Sequence, residues 1–146
     1  MKILNILVIC TGNSCRSQIT EGYLKFFKKK LNISANIYSA GVRAEGVNKK
    51  AVEIMSKDNI DISNHSSNTI YEYLDKDITH VITVCDHANE TCPYIPSENA
   101  LRIHKNFEDP SKLDIKNENL KIDNYINCRN QIKDYCREFS LKYFQE

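Results

Sequence analysis

No stretch of this 146-residue sequence is long and apolar enough to cross a membrane. The longest apolar run, from Ile3 to Cys10, is interrupted by Asn5 and is far shorter than the ~20 residues that a membrane-spanning helix needs. The same run makes a poor signal peptide, because only Lys2 precedes it and no small-residue cleavage site follows it. We therefore expect a cytoplasmic protein.

The chain also has no large excess of positive or negative charge. The chain has 20 Lys and Arg residues against 19 Asp and Glu residues, which gives a formal net charge of +1. A protein that binds nucleic acid or an anionic membrane through bulk electrostatics normally carries a clear positive excess. We therefore expect no nucleic-acid or membrane partner, and any anion site must be local.

Repeats, low-complexity tracts and linkers are absent as well, and the length suits a single domain over residues 1–146. Cysteine, in contrast, is plentiful. Because a cytoplasmic chain does not normally keep a framework of structural disulfides, the cysteines need another explanation. The six positions are Cys10, Cys15, Cys85, Cys92, Cys128 and Cys136.

Apolar segments alternate between strand-like and helical patterns along the chain. Strands are predicted at 3–9, 35–39, 79–85 and 101–104, and helices at 16–31, 49–57 and 120–144, with a helical turn or two at 69–74. This alternation predicts an α/β fold with a four-stranded parallel sheet and helices on both faces. Ligands bind beyond the carboxyl ends of such strands, which places Cys10 and Cys85 at the same edge of the sheet.

The segment after the first strand has the features of an anion-binding loop. Gly12 and Asn13 tolerate positive φ, so successive backbone N–H groups can turn inward. The helix that starts near Arg16 adds its positive end, and the guanidinium suits bidentate contact with a tetrahedral oxyanion. The same field favours the reactive thiolate of Cys10, to which Ser17 can donate a hydrogen bond. The candidate oxyanion contacts are Thr11, Gly12, Asn13, Ser14, Cys15 and Ser17.

Two other interpretations of this loop are weaker. Cys10 could be a small buried residue that ends a strand, but the chemistry of the following residues argues against this. The loop also lacks the G-x-x-x-x-G-K-[ST] pattern of nucleotide-binding loops, which disfavours binding of that kind.

Residues 10–17 resemble the signature of the low-molecular-weight protein tyrosine phosphatase family. The continuation at 18–22 is similar to its thioredoxin-coupled arsenate reductase branch, and residues 38–41, 59–65 and 108–110 also fit the superfamily. The resemblance extends from about residue 3 to residue 110. Cys85 and Cys92 have the C-x6-C spacing that separates the arsenate reductases from the phosphatases.

The resemblance implies a three-cysteine mechanism. Cys10 would attack arsenate held by the loop and Arg16, while Asp109 donates a proton to the departing oxygen. A Cys10–Cys85 disulfide would form as arsenite leaves, and attack by Cys92 would convert it to Cys85–Cys92. Thioredoxin would then reduce this disulfide in a monomeric enzyme. If residues 85–92 were helical, the two cysteines would lie ~10.5 Å apart along the axis, too far for a disulfide. We therefore expect a short helix that unwinds on oxidation.

Three further positions allow plainer roles. Cys85 and Cys92 could be a core and a loop cysteine, or could ligate zinc with His87, although their spacing is wider than usual for zinc. Asp109 could be a turn residue before Pro110. Cys15, Cys128 and Cys136 are interpreted as structural, and His65, His80 and His104 are assigned no role. For Cys15 a minor redox role stays open, because the resemblance implies that a cysteine at this position can form a protective disulfide with the nucleophile.

The sequence departs from the arsenate reductase pattern in two places. Lys105 and Asn106 stand where the family commonly has Trp-Gly. Some members bind a structural potassium ion, at positions that match Asn13, Glu21, Ser39, Ser66 and Asn68 here. Ser66 and Asn68 replace Thr and Asp, so one anionic ligand is lost, and we expect no cofactor.

Two other functions remain open from the sequence. A low-molecular-weight phosphatase would need only Cys10, Arg16 and Asp109, although Ser111 and Lys112 replace the tyrosines that many such phosphatases have after the Asp-Pro pair. A non-catalytic oxyanion-binding or redox-sensing module would need only the loop.

Overall fold

The computed structural model describes residues 3–84, 99–112 and 115–144, and these residues form an α/β fold. The strands are β1 (Leu4–Cys10), β2 (Ala35–Gly41), β3 (His80–Thr83) and β4 (Leu101–His104). The helices are α1 (Arg16–Lys30), α2 (Lys49–Lys57) and α3 (Glu118–Tyr143), with 3-10 turns at Ile70–Tyr73 and Pro110–Lys112. None of the helices in these ranges is long and apolar enough to cross a membrane.

The four strands form one parallel sheet in the order β2-β1-β3-β4, which confirms the predicted fold class. Residues 6–9 of the central strand β1 are at most 1% exposed, because both faces of the sheet are covered at this strand. This explains why the segment is an unbroken apolar run rather than an alternating one. The register sets Cys10 beside Gly41 and Ile9 beside Thr83, so the strands end at a common edge.

Helix α3 packs against α1 and α2 through one apolar face. Its buried positions recur every three or four residues, as a half-buried helix requires; they are Tyr125, Cys128, Ile132, Cys136, Phe139 and Ser140. The helix begins two residues before the predicted start. The Asn117 side chain caps it, since its oxygen accepts hydrogen bonds from the backbone N–H groups of Asn119 (2.9 Å) and Leu120 (3.1 Å).

A polar cluster ties the three helices together at the C-terminal end of α2. The carboxylate of Asp58 accepts hydrogen bonds from the Tyr23 hydroxyl of α1 (2.7 Å) and from the Lys133 ammonium of α3 (2.9 Å). Partial burial opposes the change, but these hydrogen bonds hold the pKa of Asp58 below its usual value. Burial and the contact with Asp58 raise the pKa of Tyr23. The cluster therefore favours an ionised aspartate and a neutral tyrosine.

The third strand is shorter than predicted. It ends at Thr83 rather than at residue 85. The next residue, Val84, still donates its N–H to the Ile9 carbonyl at 3.0 Å, and its own carbonyl accepts the Phe107 N–H at 3.4 Å. Val84 thus lies between β1 and the segment before Asp109. Cys85, Cys92 and the helix predicted between them lie outside the described residues.

Candidate active site

The loop at residues 11–15 joins the end of β1 to the start of α1. Asn13 has a φ of 47°, as predicted, and its side chain is fully buried. The positive φ expected at Gly12 is not found. A Cβ atom at Gly12 would lie 1.8 Å from Glu45 Oε1, the end of a half-exposed side chain that can move away. The neighbouring segment is joined to the loop by backbone hydrogen bonds from Arg43 to Thr11 and from Glu45 to Gly12.

The Cys10 thiol lies at the base of this loop, 2.9 Å from Ser17 Oγ. The Asn13 side-chain amide donates to the same Ser17 oxygen at 2.9 Å. Because Ser17 Oγ accepts from Asn13, its own hydrogen is available to a Cys10 thiolate. The predicted pairing of Cys10 with Ser17 is therefore present, but in this structure the thiol is the donor, and Ser17 could donate only to the thiolate.

Arg16 reaches across to the opposite wall of the site. Its Nη1 donates to the Phe107 carbonyl at 2.9 Å, and its Nη2 pairs with Asp109 Oδ2 at 3.2 Å. The other oxygen of Asp109 accepts from the backbone N–H and the hydroxyl of Ser111, at 2.9 and 2.7 Å. The two residues predicted to bind and protonate an oxyanion are thus in direct contact.

These side chains enclose a cavity of about 810 Å³ at the carboxyl edge of the sheet. One wall is the loop and the other is the segment at 106–111. The lining residues are Cys10, Thr11, Gly12, Ser14, Cys15, Arg16, Val42, Arg43, Glu45, Asn106, Phe107, Glu108, Asp109 and Ser111. A thiol, a guanidinium and a carboxyl group therefore converge on one space, an arrangement that suits nucleophilic attack on a tetrahedral oxyanion.

Comparison with known proteins agrees with this geometry. The family model described as low molecular weight phosphotyrosine protein phosphatase matches residues 5–146. The chain belongs to this family. An arsenate reductase of Halalkalibacterium halodurans is 47% identical over 107 residues, which cover 73% of this chain and 74% of that protein.

Comparison with solved structures extends the likeness to the fold. A structure described as an arsenate reductase in the phosphate binding state superposes with a TM-score of 0.75 at 25% identity, covering 95% of this chain and 98% of that one. A low molecular weight protein tyrosine phosphatase from T. tengcongensis superposes with a TM-score of 0.80 at 24% identity, covering 95% and 99%. The second likeness concerns the fold alone.

Two residues of the family loop lie behind the cavity rather than in its wall. Asn13 and Ser17 are fully buried, and their side chains hydrogen-bond to each other. Of the six predicted oxyanion contacts, Thr11, Gly12, Ser14 and Cys15 line the cavity, whereas the side chains of Asn13 and Ser17 do not. The sequence could not separate the loop residues that line the cavity from those that lie behind it, because neighbouring residues in a tight loop can point to opposite sides of the backbone.

Gln18 is a supporting residue that the sequence analysis missed. Its side-chain amide donates to the carbonyls of Asn13 (3.1 Å) and Ser66 (3.0 Å), and its oxygen faces His65 Nδ1 at 3.0 Å. Ser67 Oγ also donates to the Asn13 carbonyl, at 2.9 Å. The sequence signal was the resemblance of residues 18–22 to the arsenate reductases, which includes Gln18 but assigns it no contact.

His65, to which no partner was assigned, belongs to this support. Besides facing Gln18, its Nε2 lies 3.6 Å from Glu21 Oε2. Burial lowers the pKa of His65, and the nearby Glu21 carboxylate opposes that change only in part. The neutral imidazole is therefore favoured at neutral pH.

The remaining described cysteines lie in settings that favour the unreactive thiol. Burial raises the pKa of Cys15, and it raises the pKa of Cys128 to about 12. Cys136 is fully buried and its pKa is raised as well. Two of these thiols face backbone carbonyls, Cys128 at 3.7 Å from Glu108 O and Cys136 at 3.7 Å from Thr20 O. Cys15 lines the cavity, and the structural role of all three stays a prediction.

Proposed function

We propose that this protein reduces arsenate to arsenite. The observation that carries the proposal is the shared cavity of Cys10, Arg16 and Asp109, beside which Val84 leads into Cys85. Capture of an oxyanion in this cavity needs one thiol, whereas its two-electron reduction needs further thiols to supply the electrons. Cys85 and Cys92 supply the additional thiols, and the relative in Halalkalibacterium halodurans carries the name arsenate reductase.

The first step is capture of arsenate. The Cys10 thiolate attacks arsenic, so that a sulfur–arsenic bond forms and one arsenic–oxygen bond breaks. The departing oxygen leaves as water after taking a proton from Asp109. Because Arg16 pairs with Asp109 in this structure, the incoming oxyanion must compete for the guanidinium.

The electrons are then transferred through two disulfides. The Cys85 thiolate attacks the Cys10 sulfur, the sulfur–arsenic bond breaks, and its electron pair stays on arsenic, which leaves as arsenite. Cys92 attacks the Cys85 sulfur of the resulting disulfide and frees Cys10. A cytoplasmic dithiol protein such as thioredoxin reduces the Cys85–Cys92 disulfide and restores the enzyme. One copy of the chain holds every thiol in this sequence, which fits a monomer.

Phosphate ester hydrolysis is the second candidate. Cys10, Arg16 and Asp109 are the three groups that a phosphatase of this family would use, and they meet in one cavity. Such an enzyme would not need Cys85 or Cys92. The two functions therefore differ in whether these two cysteines matter.

A coupled assay with arsenate, thioredoxin, thioredoxin reductase and NADPH tests the proposal. The wild type should consume NADPH only when arsenate is present, and Cys85→Ser and Cys92→Ser should each lower this turnover at least about 10³-fold. Cys128→Ser is the matched control and should keep the activity. Hydrolysis of a phosphotyrosine mimic that survives both substitutions, together with no arsenate-dependent NADPH loss, would instead establish the phosphatase.

A further inference from the structure

A buried carboxylate lies next to the loop but outside the cavity. Glu21, on the second turn of α1, is 7% exposed. Its Oε1 accepts a hydrogen bond from Ser39 Oγ at 2.5 Å, and its Oε2 accepts one from Lys25 Nζ at 2.5 Å. His65 Nε2 is farther away, at 3.6 Å from Oε2. Lys25 is therefore the cation in closest contact with this charge.

Hydrogen bonds connect Glu21 to the nucleophile. Ser39 Oγ accepts from the Asn13 amide at 2.8 Å, and the same amide donates to Ser17 Oγ at 2.9 Å. Ser17 in turn lies 2.9 Å from Cys10 Sγ. A continuous chain of hydrogen bonds therefore links the Glu21 carboxylate to the groups that support Cys10.

The residues around Glu21 do not fit a bound potassium ion. The positions that resemble potassium ligands contain one carboxylate here, since Asn68 is a neutral amide. Several of their oxygens are already engaged, because Asn13 Oδ1 accepts the Asn68 N–H at 2.7 Å and Asn68 Oδ1 accepts the Ser66 hydroxyl at 2.7 Å. The carboxylate of Glu21 is itself paired with an ammonium group. An alkali ion would have to displace these partners, and no second negative charge in this set would compensate.

We propose that the ammonium group of Lys25 is a tethered cation that replaces an alkali ion beside Glu21. In this role Lys25 is a positioning residue for the anion loop. Its side chain is 43% exposed, so the ammonium can keep water contacts while it neutralises a carboxylate that is 10% exposed. The pair is spaced i, i+4 on α1, which brings the two side chains together without any further constraint. Because the cation is covalently attached, its presence beside Glu21 does not depend on which cation the medium supplies.

The experiment compares potassium chloride with choline chloride at equal ionic strength, in the full chain. Two readouts serve, the melting temperature and the rate at which iodoacetamide alkylates Cys10, followed by peptide mass spectrometry. Both stand whether or not the protein reduces arsenate, so failure of this proposal and failure of the proposed function are distinguishable. The variants are Lys25→Met, the conservative Lys25→Arg, and Lys29→Met as a control on an exposed part of the same helix.

The wild type should melt within about 1 °C in the two salts. Lys25→Met should melt roughly 3–6 °C lower in choline chloride, because Glu21 loses its counter-charge, and its Cys10 should be alkylated several-fold more slowly. Potassium chloride should restore part of both losses, since an alkali ion can then reach the carboxylate. Lys25→Arg and Lys29→Met should resemble the wild type.

Two results would overturn the proposal. One is a wild type that potassium stabilises by several degrees over choline, which needs no variant and therefore does not depend on whether Lys25→Met folds. The other is a Lys25→Met protein that matches Lys29→Met in melting and alkylation.

Discussion

The cavity at the edge of the sheet and the layer of helices contain the same three side-chain types, but these side chains have different roles in the two regions. Each region has a cysteine, an arginine bound to a backbone carbonyl, and an aspartate paired with a cation. At the cavity these are Cys10, Arg16 bound to Phe107 O, and Asp109. In the helix layer they are Cys136, Arg129 bound to Ile54 O, and Asp58.

The difference lies in what surrounds each group. Arg16 and Asp109 line an open cavity together with Cys10, so a ligand can replace their contacts with each other. Asp58 instead joins α1, α2 and α3 through Tyr23 and Lys133, and replacing these contacts would separate helices. Residue type therefore does not decide function here. Substitutions at the cavity should change activity, and matched substitutions in the helix layer should change stability.

The largest contrast is expected between the two cysteines. Cys10→Ser should lower arsenate turnover at least about 10⁴-fold with little change in melting temperature, because the nucleophile is lost but its volume is nearly kept. Cys136→Ala should retain turnover and melt a few degrees lower, because it leaves a small cavity in a fully buried site. Steady-state kinetics and thermal melting measure both. Comparable turnover in the two variants would show that Cys10 is not the nucleophile.

The two arginines should differ by a smaller factor. Arg16→Lys should reduce kcat/KM for arsenate roughly 10²–10³-fold, because an ammonium group cannot make the bidentate contact with an oxyanion. Arg129→Lys should change kcat/KM less than about threefold, since its guanidinium contacts the Ile54 carbonyl outside the cavity. An equal loss in both variants would mean that general disruption, rather than oxyanion contact, explains the effect.

The smallest effect concerns Asp58 and depends on pH. Asp58→Asn should reduce the free energy of unfolding by about 1 kcal/mol at pH 7 without changing turnover. The pKa of Asp58 is held low in the folded state, so its contribution is present above the unfolded value of ~3.9 and is lost as pH falls through the folded value. Urea unfolding from pH 7 to pH 3 should therefore show the two proteins converging.

Asp123→Asn is the control for this measurement. Asp123 lies exposed on α3 and should leave the unfolding free energy unchanged at every pH. A difference between wild type and Asp58→Asn that stays constant down to pH 3 would show that the lost carboxylate charge is not the cause.

The sequence predicted local features well and long-range contacts poorly. β1, the loop after it and the start of α1 could be read from neighbouring residues, because an apolar run, a turn-forming segment and helical spacing are all local signals. The Arg16–Asp109 pair joins residues 93 positions apart, and the contacts of Ser39 with Asn13 and Glu21 depend on how β2 packs beside α1. Such contacts follow from the folded arrangement, and no local pattern indicates them. The predicted end of β3 is two residues too late for a similar reason, because the length of this strand depends on its pairing with β4.

Mapping of the disulfides after one equivalent of arsenate tests directly whether the three cysteines carry out the reduction. The fully reduced protein should release one equivalent of arsenite, and mass spectrometry should find residues 85 and 92 joined while Cys10 is free again. Recovery of arsenate unchanged, with all six thiols still reduced, would contradict the account.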